Sequence, residues 1–143
     1  MATINPYLNF EGKTEEAFNL YKSVFGGEFQ AVQRFKDTPG GDELSAEDAV
    51  KIMHISLPIG SGNFLMGTDT LESMGQKLNV GDNFSISVTT ESEAESDRIF
   101  NALAVGGEII MPLEKAFWGA YFGMLKDRFG IQWLVNYDYT KDK

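Results

Sequence analysis

From Thr3 to Phe10 apolar and aromatic positions alternate with polar ones, which predicts a strand entered past Pro6. The period then changes. Thr14-Glu15-Glu16 opens a helix with acids in its first turn, and Ala17, Phe18, Leu20, Tyr21, Val24 and Phe25 recur at helical spacing until Gly26-Gly27 stops it. A second strand is expected over 28–35, followed by a turn-rich loop over 36–42. Two further strands, 51–57 and 63–67, read as a hairpin joined by Pro58-Ile59-Gly60-Ser61-Gly62. The polar, glycine-punctuated segment 69–82 reads as a linker.

From Asn83 the pattern begins again. Phe84 to Thr89 predicts a strand, Thr90-Glu91-Ser92-Glu93 has the form of a capping box, and Ala94, Ile99, Ala102 and Leu103 supply an apolar helix face that ends at Gly106-Gly107. Strands follow over 108–111, 117–125 and 131–137. Gly106-Gly107 comes 80 positions after Gly26-Gly27, and the same offset places Leu8 on Val88, Glu11 on Glu91 and Glu15 on Glu95. The expected fold is α+β, a strand-helix-strand-strand-strand module used twice. Module one spans 3–68, the linker 69–82 and module two 83–138, in a single domain of 143 residues.

Composition narrows the chemistry. The chain has no cysteine and one histidine, His54, so thiolate metal sites, cysteine nucleophiles and polyhistidine zinc sites have nothing to draw on. A net charge of −9 argues against nucleic acid or an anionic membrane as partner. Neither a run of 18 apolar residues nor a basic leader followed by an apolar stretch occurs, so a cytoplasmic location is the expectation.

Tyr7-Leu8-Asn9-Phe10-Glu11-Gly12, Glu16-Ala17-Phe18 and Tyr21-Lys22-Ser23-Val24-Phe25-Gly26-Gly27-Glu28 resemble the opening of the PhnB-like group of the glyoxalase/bleomycin-resistance (vicinal oxygen chelate) superfamily. Met53-His54-Ile55-Ser56-Leu57, Leu65-Met66-Gly67-Thr68-Asp69, Phe117-Trp118-Gly119 and Asp127 to Trp133 continue the resemblance, which runs from Ile4 to Asn136. It implies tandem βαβββ modules enclosing a cavity, and a homodimer. In the superfamily's enzymes a divalent metal is held there by histidine and glutamate. The corresponding positions here carry Asn5, the Phe64 to Met66 group, the Asn83 to Ser85 group and Leu134. Asparagine and apolar side chains are poor ligands, so no metal and no cofactor is expected, with a divalent metal as the family alternative.

Strand alternation puts Ile52, His54 and Ser56 on one face and Met53, Ile55 and Leu57 on the other. The wholly apolar set belongs under a helix. His54, the candidate catalytic residue, then faces the concave side, where an imidazole suits a carbonyl or anionic group, or acid-base chemistry. Trp118, Tyr121 and Phe122, with Trp133, form a candidate aromatic wall for a planar ligand. Asn5, Tyr7 and Asn9 on the first strand and Asn136 on the last would hydrogen-bond it. The acidic clusters 42–43, 47–48 and 91–97 lack the spacing of a metal loop, and Gly60-Ser61-Gly62 lacks the lysine of a phosphate loop. Two functions remain: a metal-free module binding a small organic ligand, and a lyase, isomerase, dioxygenase or methyltransferase-like enzyme with displaced metal ligands or His54 as acid/base.

Overall fold

The computed structural model describes residues 2–60 and 62–142. They divide into two compact units, ending and beginning at Asn79 and Val80. Ser61, part of the expected hairpin turn, lies outside the described residues.

Unit one runs β1 (Tyr7–Phe10), α1 (Thr14–Phe25), β2 (Ala31–Arg34), the short α2 (Ala46–Ala49), β3 (Ile52–Ile59) and β4 (Asn63–Asp69). Its sheet has the order β1-β4-β3-β2, with β1 parallel to β4 and the other pairs antiparallel. Unit two repeats the plan with β5 (Ile86–Thr89), α3 (Glu93–Ala104), β6 (Glu108–Ala116), β7 (Ala120–Lys126) and β8 (Gln132–Asp138), ordered β5-β8-β7-β6 with β5 parallel to β8. Among the described residues no helix is long and apolar enough to cross a membrane. The duplicated module is therefore present twice in the same topology. Its element bounds recur at an offset of 79 (Tyr7 to Ile86, Thr14 to Glu93), whereas the inward phase of the first strand recurs at 80. Leu8 pairs with Gly67, and Val88 with Val135.

Each sheet carries its helix on one face only. In β1 the burial alternates strictly, Tyr7 and Asn9 exposed, Leu8 and Phe10 buried, and in β4 Leu65, Gly67 and Asp69 are buried while Phe64, Met66 and Thr68 are half-buried. Ala17, Phe18, Tyr21 and Val24 of α1 fill the helix side, with the Phe18 ring edge-on to Phe10 at 6.4 Å and to Tyr21 at 5.4 Å. Burying a Phe or Val side chain in this way contributes about 1.5–3 kcal/mol. In unit two Ile99, Phe100 and Leu103 do the same over Trp133, Val135 and Leu125.

A glycine makes room for the helix ring in each unit, on opposite partner strands. In the pair Ile55–Gly67 it lies on β4; in the corresponding pair Gly123–Val135 it lies on β7. A Cβ at Gly67 would stand 2.7 Å from Phe18 Cε1, and one at Gly123 2.8 Å from Phe100 Cε2, so neither position admits alanine without moving a buried ring.

Several boundaries differ from the sequence expectation. β1 starts at Tyr7 and β2 is limited to Ala31–Arg34. The expected loop contains two 3-10 turns, Phe35–Asp37 and Gly41–Glu43, followed by α2 with Ser45 as N-cap. Pro58 and Ile59 belong to β3, and Asp69 to β4 rather than the linker. The cap sits two residues further on: Ser92 accepts from the Glu95 N–H at 3.0 Å, while the Glu95 carboxylate reaches past it to accept from the Glu91 N–H at 3.0 Å. Thr90 instead hydrogen-bonds Ser96 at 2.6 Å. β6 extends to Ala116, and Phe117 to Gly119 form a turn instead of starting a strand.

Helix α1 has no side-chain cap of its own, since Lys13 occupies the N-cap. Asp69, 3% exposed at the end of β4, does that work from outside. It accepts from the Thr14 N–H at 3.1 Å, the Thr14 hydroxyl at 2.7 Å and the Ile52 N–H at 2.9 Å, joining α1, β3 and β4 at one carboxylate.

Candidate functional site

The face of the unit-one sheet turned away from α1 is read off the register. Tyr7 pairs with Met66, Ser56 pairs with Met66 and with Ala31, Asn9 pairs with Thr68, and Gln33 pairs with His54. Alternation puts all eight on the helix-free face. None of them carries an Asp, Glu, Lys or Arg side chain, in a chain that is 23% charged.

A β-bulge shapes this face. Val32 pairs with Ile55 and Gln33 with His54, but Arg34 pairs with Ile52, so Met53 is the extra residue. Past the bulge the strand turns over. Arg34 lies on the helix side, where its guanidinium grips the Glu15 carboxylate of α1 at 2.6 and 3.2 Å and holds it below the usual carboxylate range, chiefly through those hydrogen bonds. Its partner Ile52 is fully buried. The expectation that Ile52 shares the face of His54 and Ser56 is therefore corrected, because unbroken alternation does not survive a bulge. His54 and Ser56 do share a face.

The aromatic and polar groups on this face converge. The Tyr7 phenol lies 3.1 Å from His54 Nδ1, and the two rings stack at 5.7 Å with 28° between their planes. Burial pushes the Tyr7 phenol above its ordinary value, with the neighbouring Thr68 hydroxyl acting in the opposite sense, so the group stays protonated at neutral pH. His54 Nε2 has no hydrogen-bond partner among the described residues. Ser56, on the same face, is 4% exposed. Asn5 is not part of it: its Oδ1 accepts from the Phe64 N–H at 3.0 Å and closes the start of the parallel β1–β4 ladder.

In unit two the helix-free face carries Ser87, Thr89, Phe122, Met124, Leu134 and Asn136, with Asn136 paired to both Thr89 and Phe122. Trp118, half-exposed on the β6–β7 turn, stands edge-on to Phe122 at 5.5 Å and to Phe117 at 5.2 Å. Thus Trp118, Phe122 and Asn136 belong together. The other two aromatic candidates lie on the opposite face. Trp133 is 1% exposed beneath α3, and its indole N–H donates to Asp127 Oδ2 at 2.9 Å. Tyr121 donates to Asp97 of α3 at 2.6 Å, which pushes its phenol up to about 12. Residues 121 and 122 are neighbours in one strand and cannot line the same wall.

The metal implied by the superfamily does not fit these side chains. Among the described residues no three of histidine, aspartate or glutamate converge on a point. Asn5 is engaged with the backbone, Leu65 is buried in the core, and Leu134 is paired between Ser87 and Met124 on the helix-free face. Met66, Thr68 and Gln33 in unit one, and Met124 and Leu134 in unit two, are face residues that the sequence did not mark for ligand contact, whereas Phe122 was expected in the aromatic wall. The period-2 phase of each strand against its glycine was the available signal.

The profile of the 3-demethylubiquinone-9 3-methyltransferase family matches residues 2–136. The structure of protein PA1353 from Pseudomonas aeruginosa is similar at a TM-score of 0.85 and 41% identity, covering 96% of this chain and 98% of that one. A Bacillus cereus structure described as a putative 3-demethylubiquinone-9 3-methyltransferase, PhnB protein, is similar at 0.76 and 30% identity, covering 95% and 99%. A glyoxalase-related enzyme from Fulvimarina pelagi, 15% identical with a TM-score of 0.66 over 96% of this chain and 89% of that one, shares the fold. The chain belongs to the 3-demethylubiquinone-9 3-methyltransferase family, is PhnB-like, and shares its fold with glyoxalase-related proteins.

Proposed function

We infer that the chain acts as one glyoxalase-type domain that binds a small, uncharged organic molecule without a metal. The observation that carries this reading is the stacked Tyr7–His54 pair on an uncharged sheet face, which leaves His54 Nε2 open to a ligand. Burying a charged ligand on such a face would leave the charge unpaired, which is costly, whereas a neutral planar molecule meets polar partners and apolar surface together. Trp118 and Phe122 supply edge-and-face aromatic surface on unit two.

Isothermal titration against neutral aromatic metabolites, including demethylated quinols of the class in the family's name, tests it. His54→Ala and Tyr7→Phe are each expected to weaken binding about tenfold, the scale of one well-placed hydrogen bond. Binding indifferent to both would refute the site. Protein purified without chelator should hold far less than one metal ion per chain, and stoichiometric zinc, nickel, manganese or iron would refute the metal-free reading. The same pair favours a second reading, acid-base catalysis by His54. Ligand recovered chemically altered by the wild-type protein and intact from His54→Ala would establish that reading instead.

Pairing with a second copy is also part of this proposal. Ile109, Ile110 and Met111 are exposed along the edge strand β6, Ile109 opposite Leu125 on the helix side and Met111 opposite Met124 on the other face, and Phe117 is 98% exposed at its end, an apolar edge that a second copy would cover. Pro112 and two register shifts in β6 blunt the strand against edge-to-edge addition, so the contact would run through side chains. Sedimentation equilibrium is expected to give twice the 15.9 kDa chain mass, falling toward one chain in Ile110→Glu. A monomeric wild type would rule it out.

A further inference from the structure

We propose that Tyr139 is a positioning residue for the aromatic surface of unit two: it ties the β6–β7 turn to the start of α3 and so fixes the Trp118 ring on which a planar ligand would stack. This rests on the reading of Trp118 and Phe122 as ligand surface. The turn, Phe117 to Gly119, joins the paired residues Ala116 and Ala120 and closes with a Gly119 N–H to Ala116 carbonyl bond of 3.1 Å, while its two aromatic side chains are exposed. A second hold comes from the residues after β8. The Tyr139 N–H donates to the Gly119 carbonyl at 3.0 Å, one step past the last β7–β8 pair, Ala120 with Asp138. A Cβ at Gly119 would meet Thr140 Cγ2 at 3.4 Å, so residues 139 and 140 lie directly against the turn.

Tyr139 is in turn anchored by its side chain. Its phenol donates to the carboxylate of Glu93, the first residue of α3, at 2.8 Å, and its ring packs edge-on against Tyr137 at 5.1 Å. Lost hydration and that bond push the phenol up to about 12, so the donor keeps its proton at any physiological pH. Asp138 holds the backbone beside it, accepting from the Thr140 N–H at 2.9 Å and the Thr140 hydroxyl at 2.6 Å. One helical turn along α3, Asp97 takes the Tyr121 phenol in the same way, so Glu93 and Asp97 clip β7 and the segment after β8 to one face of the helix. The path from α3 to the ring is continuous: Glu93 carboxylate, Tyr139 phenol and N–H, Gly119 carbonyl, Trp118. A ring fixed in advance spares the ligand the cost of ordering it.

The chain has two tryptophans, so protein labelled with 5-fluorotryptophan gives two 19F resonances, assigned by Trp118→Phe. Trp133, in the core beneath α3, is the internal control. In Tyr139→Phe and in Glu93→Ala the Trp118 resonance is expected to narrow and to move toward that of the free amino acid, while the Trp133 resonance stays in place. Glu93→Gln keeps an acceptor oxygen and should keep the wild-type spectrum. A Trp118 resonance unmoved in Tyr139→Phe and Glu93→Ala overturns the proposal, and so does a Trp133 resonance that moves as far as that of Trp118, which would mark a general loosening of unit two. The measurement needs no ligand, so its failure is separate from that of the binding reading: a planar ligand indifferent to Trp118→Ala would remove Trp118 from the site and leave these spectra as they are.

Discussion

Asp69→Ala is expected to lower the unfolding free energy by about 3–5 kcal/mol, because three buried donors lose their acceptor at once and each unsatisfied donor costs roughly 1–3 kcal/mol. Thr14 loses the partner of its N–H and of its hydroxyl, and Ile52 loses the partner of its N–H. The damage is concentrated where α1 begins and where β3 leaves α2, so the helix that covers the sheet is released with it. Asp69→Asn retains one carbonyl oxygen and should lose less. Urea unfolding at neutral pH followed by circular dichroism measures both. A loss for Asp69→Ala smaller than about 1 kcal/mol, the centre of ordinary point-mutant effects, would mean that the carboxylate does not organise the start of α1.

Trp133→Ala should cost a comparable amount, about 3–5 kcal/mol, as expected for removing a fully buried large aromatic side chain and leaving a cavity. The ring lies under α3 at 1% exposure, and the substitution also removes the indole donor to Asp127. Trp118→Ala at the half-exposed turn should change stability by no more than about 0.5 kcal/mol, while weakening any ligand that stacks on unit two. The contrast is informative, since a ligand-wall role for Trp133 predicts the opposite order: small stability loss, large binding loss. Chemical denaturation of the two variants side by side settles which tryptophan is core.

The two long helices were legible because apolar positions at helical spacing end in glycine pairs, and the structure places them at Thr14–Phe25 and Glu93–Ala104. Tyr7 with Asn9, and His54 with Ser56, were each legible as sharing a face of their own strand because alternation within a strand is geometry, not preference; the sheet register is what brings the two pairs onto one face. What failed was phase between elements. Nothing in Phe117 to Phe122 says where the turn stops and the strand begins, and a strand starting three residues later leaves Trp118 on a turn, Tyr121 against α3 and Phe122 opposite. Trp133 looks the same from sequence whether it faces a helix or a ligand; its bond to Asp127 is what decides, and that bond depends on the turn before β8. The bulge at Met53 is equally silent, because an extra residue in β3 is visible only against the register of β2.

The exchanged glycines have a consequence for anyone who would recombine the halves. Because Phe18 enters over β4 and Phe100 over β7, a graft that carried α1 onto the second sheet would set a ring against Val135 where it needs an opening, and leave the opening at Gly123 without its occupant. Similar topology has thus not left the modules modular: each helix is keyed to its own sheet, and the two copies, alike in plan, are no longer spare parts for one another.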